Sequence, residues 1–305
     1  MASMIVAENL GHVYRGGTVA LDGVNLEIDA GLFGLLGSNG AGKSTFMRII
    51  CTLLAPTRGR VTVDGMDVVE NRRAVRNLLG YLPQEFGAWR LQCVEEVLDT
   101  LAMLSGMKDG KSRGQRIAAV LASVGLEKVA DRKVKQLSGG MLRRLGVAQA
   151  LVHEPRVLIM DEPTVGLDPE ERLRFRQLMT DLSRDRVIVL STHIVADLGS
   201  GCSDLALIDH GKLQFRGSPS ELVALARNKV CEITVPETAE AEAGERMEIV
   251  ARTFKNGLVT LRGVIKEGTG PAGARLVEDI TLEEAYLAFM AGRGRHVEEL
   301  AMADN

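Results

Sequence analysis

Residues 37–45 read GSNGAGKST, and they stand between the apolar run GLFGLL and the segment FMRIICTLL, whose apolar residues recur at helical spacing. Strand, glycine-rich loop and helix in this order form the context in which a G-x-x-x-x-G-K-[ST] motif binds phosphate. The N–H groups of such a loop wrap the β-phosphate, the lysine reaches the β- and γ-phosphates, and the next hydroxyl ligates Mg²⁺. The sequence therefore predicts a nucleotide-binding loop made of Gly37, Ser38, Asn39, Gly40, Ala41, Gly42, Lys43, Ser44 and Thr45, with Ser44 at the metal.

Two further apolar runs are each followed by polar residues that suit phosphate chemistry. RVLIM at 156–160 leads into Asp161 and Glu162, and RVIVL at 186–190 leads into STH, which ends at His193. Continuous apolar runs are typical of parallel strands, whose carboxyl ends share one edge of a sheet. We expect Asp161 to hold Mg²⁺, Glu162 to polarise the attacking water and His193 to contact the γ-phosphate. The alternatives are an acidic turn and a hydrogen-bonded loop histidine.

Gln84 and Tyr14 each have two interpretations when the residues alone are considered. Gln84 follows the strand-like LLGYL and a proline, where its amide either binds Mg²⁺ or the water, or caps a turn. Tyr14 precedes a turn with two glycines, where its ring either faces a purine or packs on the surface. The Asn-Lys-x-Asp string by which GTPases read guanine is missing, because the segment at 228–231 reads NKVC. Adenine is therefore the better prediction.

A second glycine-rich helix start lies at residues 136–144, QLSGGMLRR. A Ser-Gly-Gly turn before an apolar helix suits phosphate, since a helix N-terminus carries partial positive charge and unpaired N–H donors. No lysine follows these glycines, although the loop at 37–45 carries one. The residues by themselves leave open why one chain has two such helix starts.

The composition is that of a globular protein without a membrane-spanning segment. The chain has 305 residues, 46% of them hydrophobic and 25% charged, with a net charge of −3, so it can bury a sizeable core and we expect no nucleic-acid partner. The four cysteines match no disulfide or zinc spacing, which predicts a reducing cytoplasmic compartment. The sequence shows no secretory signal and no stretch of about 18 apolar residues. A role at a membrane would therefore require other subunits.

Sequence patterns predict two domains, residues 1–225 and 226–305. The first thirty residues alternate polar and apolar positions, which predicts a small antiparallel sheet. Strands then alternate with helices, with a mostly helical insert at about 87–152, which predicts a doubly wound α/β core. The second domain contains the strand CEITVP, an acidic Ala-rich connection, a hairpin turning near Asn256-Gly257 and a helix that starts at Thr281 with a capping-box pattern. We expect it to form a small α+β domain.

Six strings, GSNGAGKST, LPQ, LSGGM, VLIMDEP, GLD and STH, follow one another in the order and at the spacing of the motifs of ATP-binding cassette (ABC) ATPases. The chain resembles this family over about residues 1–227. The resemblance implies an α/β fold with a P-loop NTPase (RecA-like) core, an N-terminal antiparallel β subdomain, a helical signature subdomain and a small C-terminal α+β domain. It also implies ATP and Mg²⁺ as cofactors and a role for six residues. By this resemblance Tyr14 stacks on adenine, Gln84 is the coupling-loop glutamine near Mg²⁺, and Asp161 associates with Mg²⁺. Glu162 is the general base, Asp168 belongs to the loop between the two sites, and His193 is the switch histidine.

The resemblance assigns QLSGGM to the family signature. In that family two cassettes face each other head to tail, and each signature caps the γ-phosphate of the ATP held by the other copy. Ser138, Gly139 and Gly140 are therefore expected to act in trans in a homodimer, with Lys43 of the other copy supplying the charge that the signature lacks. Met141 stands where the family usually has Gln, so that side-chain hydrogen bond is lost.

The string SGGM followed by Arg143 and Arg144 is similar to cassettes of the bacterial ABC-2-type exporter group, which pair with separate six-helix permeases. The resemblance implies an ATP-hydrolysing subunit that is cytoplasmic, peripheral on the inner face of the cell membrane, and in contact with a permease near residues 84–107. Two alternatives are a soluble non-transport ABC ATPase, such as the iron–sulfur assembly type, and a nucleotide-binding regulator without turnover. Glu162 and His193 oppose the second alternative, and the cargo is not encoded in these residues.

Overall fold

The structure is a computed structural model of the chain, and it describes residues 4–198, 201–266 and 268–294. The chain divides into two compact units, Met1–Arg216 and Gly217–Asn305. Each unit has a hydrophobic cluster of its own. In the part of the chain that the structure describes, no helix is long and apolar enough to cross a lipid bilayer.

The first unit begins with a four-stranded antiparallel sheet. Its strands are β1 (Ile5–Val13), β2 (Val19–Ile28), β4 (Arg58–Val63) and β5 (Met66–Asp67), and they pair in the order β2-β1-β4-β5. In β2, the buried Leu26 and Ile28 alternate with the exposed Asn25 and Glu27, as expected of a sheet with one face in the core. The sheet predicted for the first thirty residues is confirmed, and β4 and β5 extend it.

The main sheet of the first unit has six strands, and it brings the polar residues predicted to bind phosphate to one edge. Its strands are β3 (Gly31–Leu36), β6 (Leu79–Leu82), β7 (Val157–Asp161), β8 (Val187–Thr192), β9 (Cys202–Asp209) and β10 (Lys212–Gly217), in the order β10-β9-β3-β8-β7-β6. All neighbours from β9 to β6 are parallel. Leu36 pairs with Thr192, and Asp161 pairs with Ser191. The carboxyl ends of β3, β7 and β8 therefore lie side by side.

Six helices complete the described part of the first unit. They are α1 (Lys43–Ile50), α2 (Arg72–Leu78), α3 (Val94–Leu104), α4 (Gly110–Val124), α5 (Gly139–Leu151) and α6 (Pro169–Leu182). Helices α3, α4 and α5 occupy the insert predicted at about 87–152 and pack on one another. Asp109 caps the N-terminus of α4 and Gly125 ends that helix in the left-handed conformation, which are the usual signals for a helix start and stop.

Helix α1 anchors the glycine-rich loop because nearly all of it is buried. Phe46, Met47, Ile49 and Ile50 are fully buried, in one cluster with residues of both sheets of the first unit. Burial of a side chain of this kind contributes about 1.5 to 3 kcal/mol. The N-terminus of α1, and with it residues 37–45, is thereby fixed against the carboxyl edge of the main sheet.

The second unit is a small α+β domain. Its elements are α7 (Pro219–Leu225), β11 (Val230–Pro236), α8 (Glu240–Arg246), β12 (Met247–Lys255), β13 (Leu258–Ile265), β14 (Arg275–Leu276) and α9 (Leu282–Ala291). The strands pair in the order β12-β13-β11-β14. Asn256 and Gly257 both have positive φ, as a two-residue hairpin turn requires. Thr281 and Glu284 form the predicted capping box at α9.

Two details of the second unit differ from the sequence interpretation. The acidic segment interpreted as a connection forms the helix α8, because its alanines and glutamates favour helix and Ala243 enters the core. The units divide between Arg216 and Gly217, N-terminal to the boundary proposed at 225 and 226. Helix α7 lies between the two positions and packs against α9, which a local pattern does not reveal.

Candidate functional site

The loop at residues 37–45 packs so closely on two strands that glycine is required at two points. A Cβ at Gly37 would lie 2.2 Å from the carbonyl oxygen of Ile208, and a Cβ at Gly42 would lie 2.4 Å from that of Ala20. Gly42 also has a φ of 110°, which side chains of L-residues rarely adopt. The burial of the other loop residues differs: Ala41, Lys43 and Thr45 are buried, Ser38 and Ser44 are half-buried, and Asn39 and Gly40 are exposed.

Replacing Gly42 with alanine is expected to lower both the stability and the nucleotide affinity of the chain. A residue held in a sparsely populated backbone region adds about 1 to 3 kcal/mol of strain, and the approach to the Ala20 carbonyl adds a clash. Thermal unfolding and titration with a fluorescent ATP analogue measure the two effects. Gly16→Ala is the matched control, since its added Cβ meets nothing within 4 Å. Equal losses in the two variants would contradict the prediction.

Lys43 places a buried positive charge at the start of α1. Its side chain is 5% exposed, and Nζ donates to the carbonyl oxygens of Gly37 at 2.6 Å and Ser38 at 3.1 Å. Nζ also lies 3.3 Å from Oε1 of Glu162. A helix N-terminus adds partial positive charge at the same place. The loop therefore presents both a fixed ammonium group and a helix start to an anion.

Asp161 ends β7 as a buried, hydrogen-bonded carboxylate. It is 3% exposed, and Ser191 Oγ donates to its Oδ1 at 2.6 Å. Desolvation, and after it the negative charge of Asp161, raises the pKa of Tyr81 to about 12, because both disfavour the phenolate. Ser191, on the neighbouring strand β8, thus orients Asp161 at the carboxyl edge of the sheet.

Glu162 is held in an unusual backbone conformation directly after β7. Its φ is +47°, and its N–H donates to the Oγ of Ser191 at 3.1 Å and to the carbonyl oxygen of the same residue at 3.2 Å. A non-glycine residue in the left-handed region is uncommon and persists where its surroundings fix it. The double contact with Ser191 supplies part of that constraint and sets the direction of the Glu162 side chain.

The carboxylate of Glu162 is buried between two cationic or potentially cationic groups. Oε1 faces Lys43, and Oε2 lies 2.8 Å from Nδ1 of His193. This last contact has the distance of a hydrogen bond but not its geometry, since neither Glu162 oxygen nor His193 Nδ1 has a hydrogen-bond partner in the described part of the chain. Among the described residues, Lys43, Glu162 and His193 are thus brought together at one point. A carboxylate of this kind is available to accept a proton.

Tyr14 lies in the turn between β1 and β2 and contacts the glycine-rich loop. Its hydroxyl is 3.1 Å from Thr45 Oγ1, and its ring meets the ring of His12 edge to face at 4.7 Å. The side chain is about one-third exposed. His12 lies on β1, two residues before Tyr14, and belongs to no motif that could be recognised in the sequence. The pair places an aromatic face beside the loop.

Ser44, Gln84 and Asp161 were predicted to hold Mg²⁺, and their oxygens are the hard ligands that this ion prefers. Ser44 is half-buried in the first turn of α1, Gln84 is exposed after β6, and Asp161 is buried at the end of β7. The described residues contain no group of three or more His, Cys, Asp or Glu side chains that could form a protein-only metal cage. Mg²⁺ usually combines one or two carboxylates with waters and substrate phosphates, so a donor set with one carboxylate fits it.

The signature segment forms an exposed helix start. Ser138 is the N-cap of α5, and its Oγ accepts a hydrogen bond from the N–H of Met141 at 3.2 Å, which leaves the hydroxyl proton available to donate. Gly139 is exposed, and a Cβ there would meet nothing within 4 Å. Gly140 is buried, and its Cβ would lie 2.4 Å from Oε2 of Glu171. A side chain at 140 would therefore have to displace that of Glu171, whereas one at 139 would meet no described residue.

Asp168 is the N-cap of α6. Its Oδ1 accepts from the N–H of Glu171 at 2.9 Å, and Pro169 occupies the first helical position. The residue is exposed. Within the chain Asp168 has a structural role at the start of a helix, and the contact with a second copy that the resemblance implies is an additional role. Glu171 in turn connects α6 to α5, since its Oε2 lies 3.5 Å from a guanidinium nitrogen of Arg144.

Two residues that act on the predicted site were not identified from the sequence. Ser191 is hydrogen-bonded both to Asp161 and to the N–H of Glu162. The feature of the sequence that could have identified it is its position at the end of a strand, within STH. Arg143 donates to the carbonyl oxygens of Gln84 and Glu162. In the sequence Arg143 indicates only a subgroup of the family, because no local pattern tells where an arginine side chain will point.

Comparison with known proteins places these features in a wider group. The model of the ABC transporter family matches residues 21–165. The uncharacterized ABC transporter ATP-binding protein YxlF of Bacillus subtilis (strain 168) is 34% identical over 222 residues, 73% of this chain and 73% of that protein. The Nod factor export ATP-binding protein I of Rhizobium sp. (strain N33) is 38% identical over 68% of this chain and 69% of that protein. The methionine import ATP-binding protein MetN of Streptomyces avermitilis is 33% identical over 84% of this chain and 78% of that protein.

Two solved structures are similar to the chain. The structure of cbiO1 from Clostridium perfringens, described as part of the ABC transporter complex cbiONQ, superposes with a TM-score of 0.68 at 28% identity and covers 73% of this chain and 92% of that one. The dimeric structure of MJ0796, described as a bacterial ABC transporter cassette, gives a TM-score of 0.64 at 27% identity and covers 70% of this chain and 98% of that one. Both similarities cover most of the chain.

Proposed function

Because the chain belongs to the ABC transporter family and is one of its ATP-binding subunits, we propose that it hydrolyses ATP with Glu162 as the general base. The observation that carries the proposal is the buried Glu162 carboxylate, which lies between Lys43 and His193 and makes no hydrogen bond to the described residues. A carboxylate in this position can act as the general base that accepts a proton from the attacking water molecule. Its place at the carboxyl edge of the main sheet is where α/β folds bind their ligands.

The other residues of the edge bind and orient. Residues 37–45 would surround the phosphates of ATP, with the Lys43 ammonium against the terminal ones and the ring of Tyr14 against the base. Ser191 is hydrogen-bonded both to Asp161 and to the backbone of Glu162. It therefore helps to fix the position of the proposed metal ligand Asp161 relative to the proposed base Glu162. Ser44, Gln84 and Asp161 would hold Mg²⁺, which supplies charge neutralisation between phosphate oxygens. His193 would contact the γ-phosphate from the strand next to Glu162.

The proposed active form is a homodimer with composite sites. The first turn of α5 is open, since Ser138 and Gly139 are exposed and the first N–H groups of any helix have no partner within it. A glycine at 139 is not needed by contacts within the chain, whereas the approach of a phosphate held by a second copy would need it. The dimeric cassette to which the chain is similar supports this arrangement.

Replacing Met141 with glutamine is expected to change the rate of hydrolysis by no more than about tenfold. The cap of α5 uses the backbone N–H of residue 141, which either residue supplies, and a single neutral hydrogen bond contributes about 0.5 to 1.5 kcal/mol. Steady-state ATPase kinetics of Met141→Gln measure the effect. A larger gain would mean that the methionine weakens dimer closure by itself.

The proposed partner is a separate membrane permease, with export favoured over import, and the proposed location is the inner face of the membrane. Relatives of the chain have names that refer to Nod factor export and to methionine import, so the names support transport more strongly than its direction. They also favour transport over a soluble assembly ATPase.

Recovery from membranes tests the partnership. The chain should co-purify from detergent-solubilised membranes with a multi-span protein, and its ATPase activity should differ between the isolated and the assembled forms. A chain that hydrolyses ATP but is never recovered with such a partner would keep the ATPase proposal and remove the transport proposal.

A further inference from the structure

We propose that Arg143 is a positioning residue. It ties α5, which begins at the signature, to the segment at residues 83–93 (the Gln84 loop) and to the backbone of the general base. The inference rests on the proposed function, since it takes Glu162 as that base. One terminal nitrogen of Arg143 donates to the carbonyl oxygens of Gln84 at 2.9 Å and Pro83 at 3.4 Å. The other terminal nitrogen donates to the carbonyl oxygen of Glu162 at 3.3 Å.

The three carbonyl groups come from two loops that the main sheet places side by side. Pro83 and Gln84 follow β6, and Glu162 follows β7, which pairs with β6 in parallel. Arg143 itself belongs to a third element, α5. A guanidinium group is planar and presents its donors in a fixed fork. Arg143 therefore holds two loop ends and a helix in one arrangement, which a flexible donor would hold less well.

Arg143 is half-buried, so its contacts are partly withdrawn from solvent. Desolvation lowers the pKa of Arg143, and among the described residues its hydrogen bonds go to backbone carbonyl groups rather than to a carboxylate. When a buried donor or acceptor loses its partner, its desolvation is no longer compensated. A shift of α5 or of the Gln84 loop that broke the contacts would therefore be opposed by the unpaired groups on both sides.

Arg143 also completes the constraint on the base. The N–H of Glu162 is bonded to Ser191, and its carbonyl oxygen is bonded to Arg143, so the residue with the left-handed backbone is held at both ends. Without Arg143 the carbonyl side of this residue loses a contact that keeps it in a sparsely populated conformation. The direction of the Glu162 carboxylate would then be less well defined.

The same loop contains a spectroscopic reporter. Trp89 is the single tryptophan of the chain, it lies in the segment between β6 and α3, and its side chain is about half exposed. Its fluorescence therefore reports on the segment between β6 and α3, which contains Gln84. Quenching by acrylamide measures how accessible that loop is, independently of any catalytic step.

Arg116 offers a matched control, because it contacts the C-terminal end of α5 whereas Arg143 lies near the N-terminal end of that helix. It lies on α4 and donates Nε to the carbonyl oxygen of Val152 at 3.0 Å, and a terminal nitrogen to that of Leu151. Desolvation lowers the pKa of Arg116 as well. Arg116→Gln thus removes a partly buried guanidinium from backbone carbonyls at the C-terminus of α5, away from the proposed site.

Arg143→Gln in the full-length chain is expected to lower kcat for ATP by about 10- to 100-fold, because a small misplacement of a catalytic group has effects of that order. KM for ATP should stay within about twofold, since the hydrogen bonds of Arg143 go to Pro83, Gln84 and Glu162 and not to residues 37–45. Acrylamide should quench Trp89 more strongly than in the parent chain. Arg143→Lys, which keeps the charge but lacks the fork, should recover little of either property.

Arg116→Gln should leave kcat and Trp89 quenching close to their parent values even where it lowers the melting temperature. If Arg143→Gln has normal kcat and normal quenching, or if Arg116→Gln matches it in both, the inference is wrong. The quenching result does not depend on the identity of the base. A normal rate in Glu162→Gln would therefore overturn the proposed function, while increased quenching in Arg143→Gln would still support the contact with the loop.

Discussion

Glu162→Gln is expected to slow ATP hydrolysis by roughly 10² to 10⁴, because it removes a general base whose contribution is of that size. ATP binding should persist, since Lys43 and the loop at residues 37–45 are unchanged. The Glu162 side chain is almost fully buried, and glutamine has nearly the same shape, so the fold should tolerate the change. The variant should accumulate as an ATP-bound dimer, which light scattering after size-exclusion chromatography with MgATP would detect.

The matched control for this variant is Glu70→Gln, which removes one negative charge at an exposed position. It should hydrolyse ATP at the parent rate and should not accumulate as a dimer. Normal hydrolysis by Glu162→Gln would rule out its role as the general base, whereas a monomer at saturating MgATP would contradict the composite site. The two readouts differ in meaning, since a slow monomer would keep the base but contradict the composite site.

Ser138→Arg is expected to lower hydrolysis by about 10²-fold or more, which is the effect of losing one preorganised donor to a developing charge. The substitution places a long cationic side chain at the open start of α5, where the phosphate of a second copy would approach. It also removes the hydrogen bond to the Met141 N–H, which contributes about 0.5 to 2 kcal/mol. Steady-state ATPase assays and dimer formation with MgATP measure the outcome.

Ser218→Arg is the control for the loss of a helix cap. Ser218 caps α7 in the second unit, and its Oγ accepts from Glu221 N–H at 3.2 Å, the same distance as in the Ser138 cap. This variant should lose a similar amount of stability and keep the parent rate. A rate for Ser138→Arg equal to that of Ser218→Arg would mean that the signature does not act on phosphate.

A mixing experiment separates action in trans from action within one chain. Ser138→Arg and Lys43→Met should each be nearly inactive alone. In a mixed dimer with head-to-tail sites, one site would carry both defects and the other would carry neither. Random pairing should then restore up to about a quarter of the parent activity. If the signature served its own chain, both sites of the mixed dimer would be damaged and mixing would restore nothing.

Local patterns predicted much of the fold that the structure has, and they also supplied the residues proposed for the site. The strand, glycine loop and helix around residues 37–45, the helical insert and the capping box at Thr281 all depend on interactions within a few residues. Asp161, Glu162 and His193 were assigned to one edge because parallel strands end on the same side of a sheet. Helix α8 was missed since its composition also suits an exposed connection, and its helical state depends on the packing of Ala243.

The sequence by itself determined that the chain has a glycine-rich loop between a strand and a helix, a second glycine-rich helix start, and acidic and histidine residues at strand ends, because each of these features consists of contiguous residues. Only the tertiary structure decided that Ser191 bonds both Asp161 and the backbone of Glu162, that the Glu162 carboxylate lies between Lys43 and His193, and that Arg143 connects three elements. These contacts could not be predicted from the sequence because they depend on the length of the side chains and on the pairing of the strands. A long side chain such as that of Arg143 finds its partners among residues that are distant in sequence, and the register of β6, β7 and β8 brings those residues within its reach.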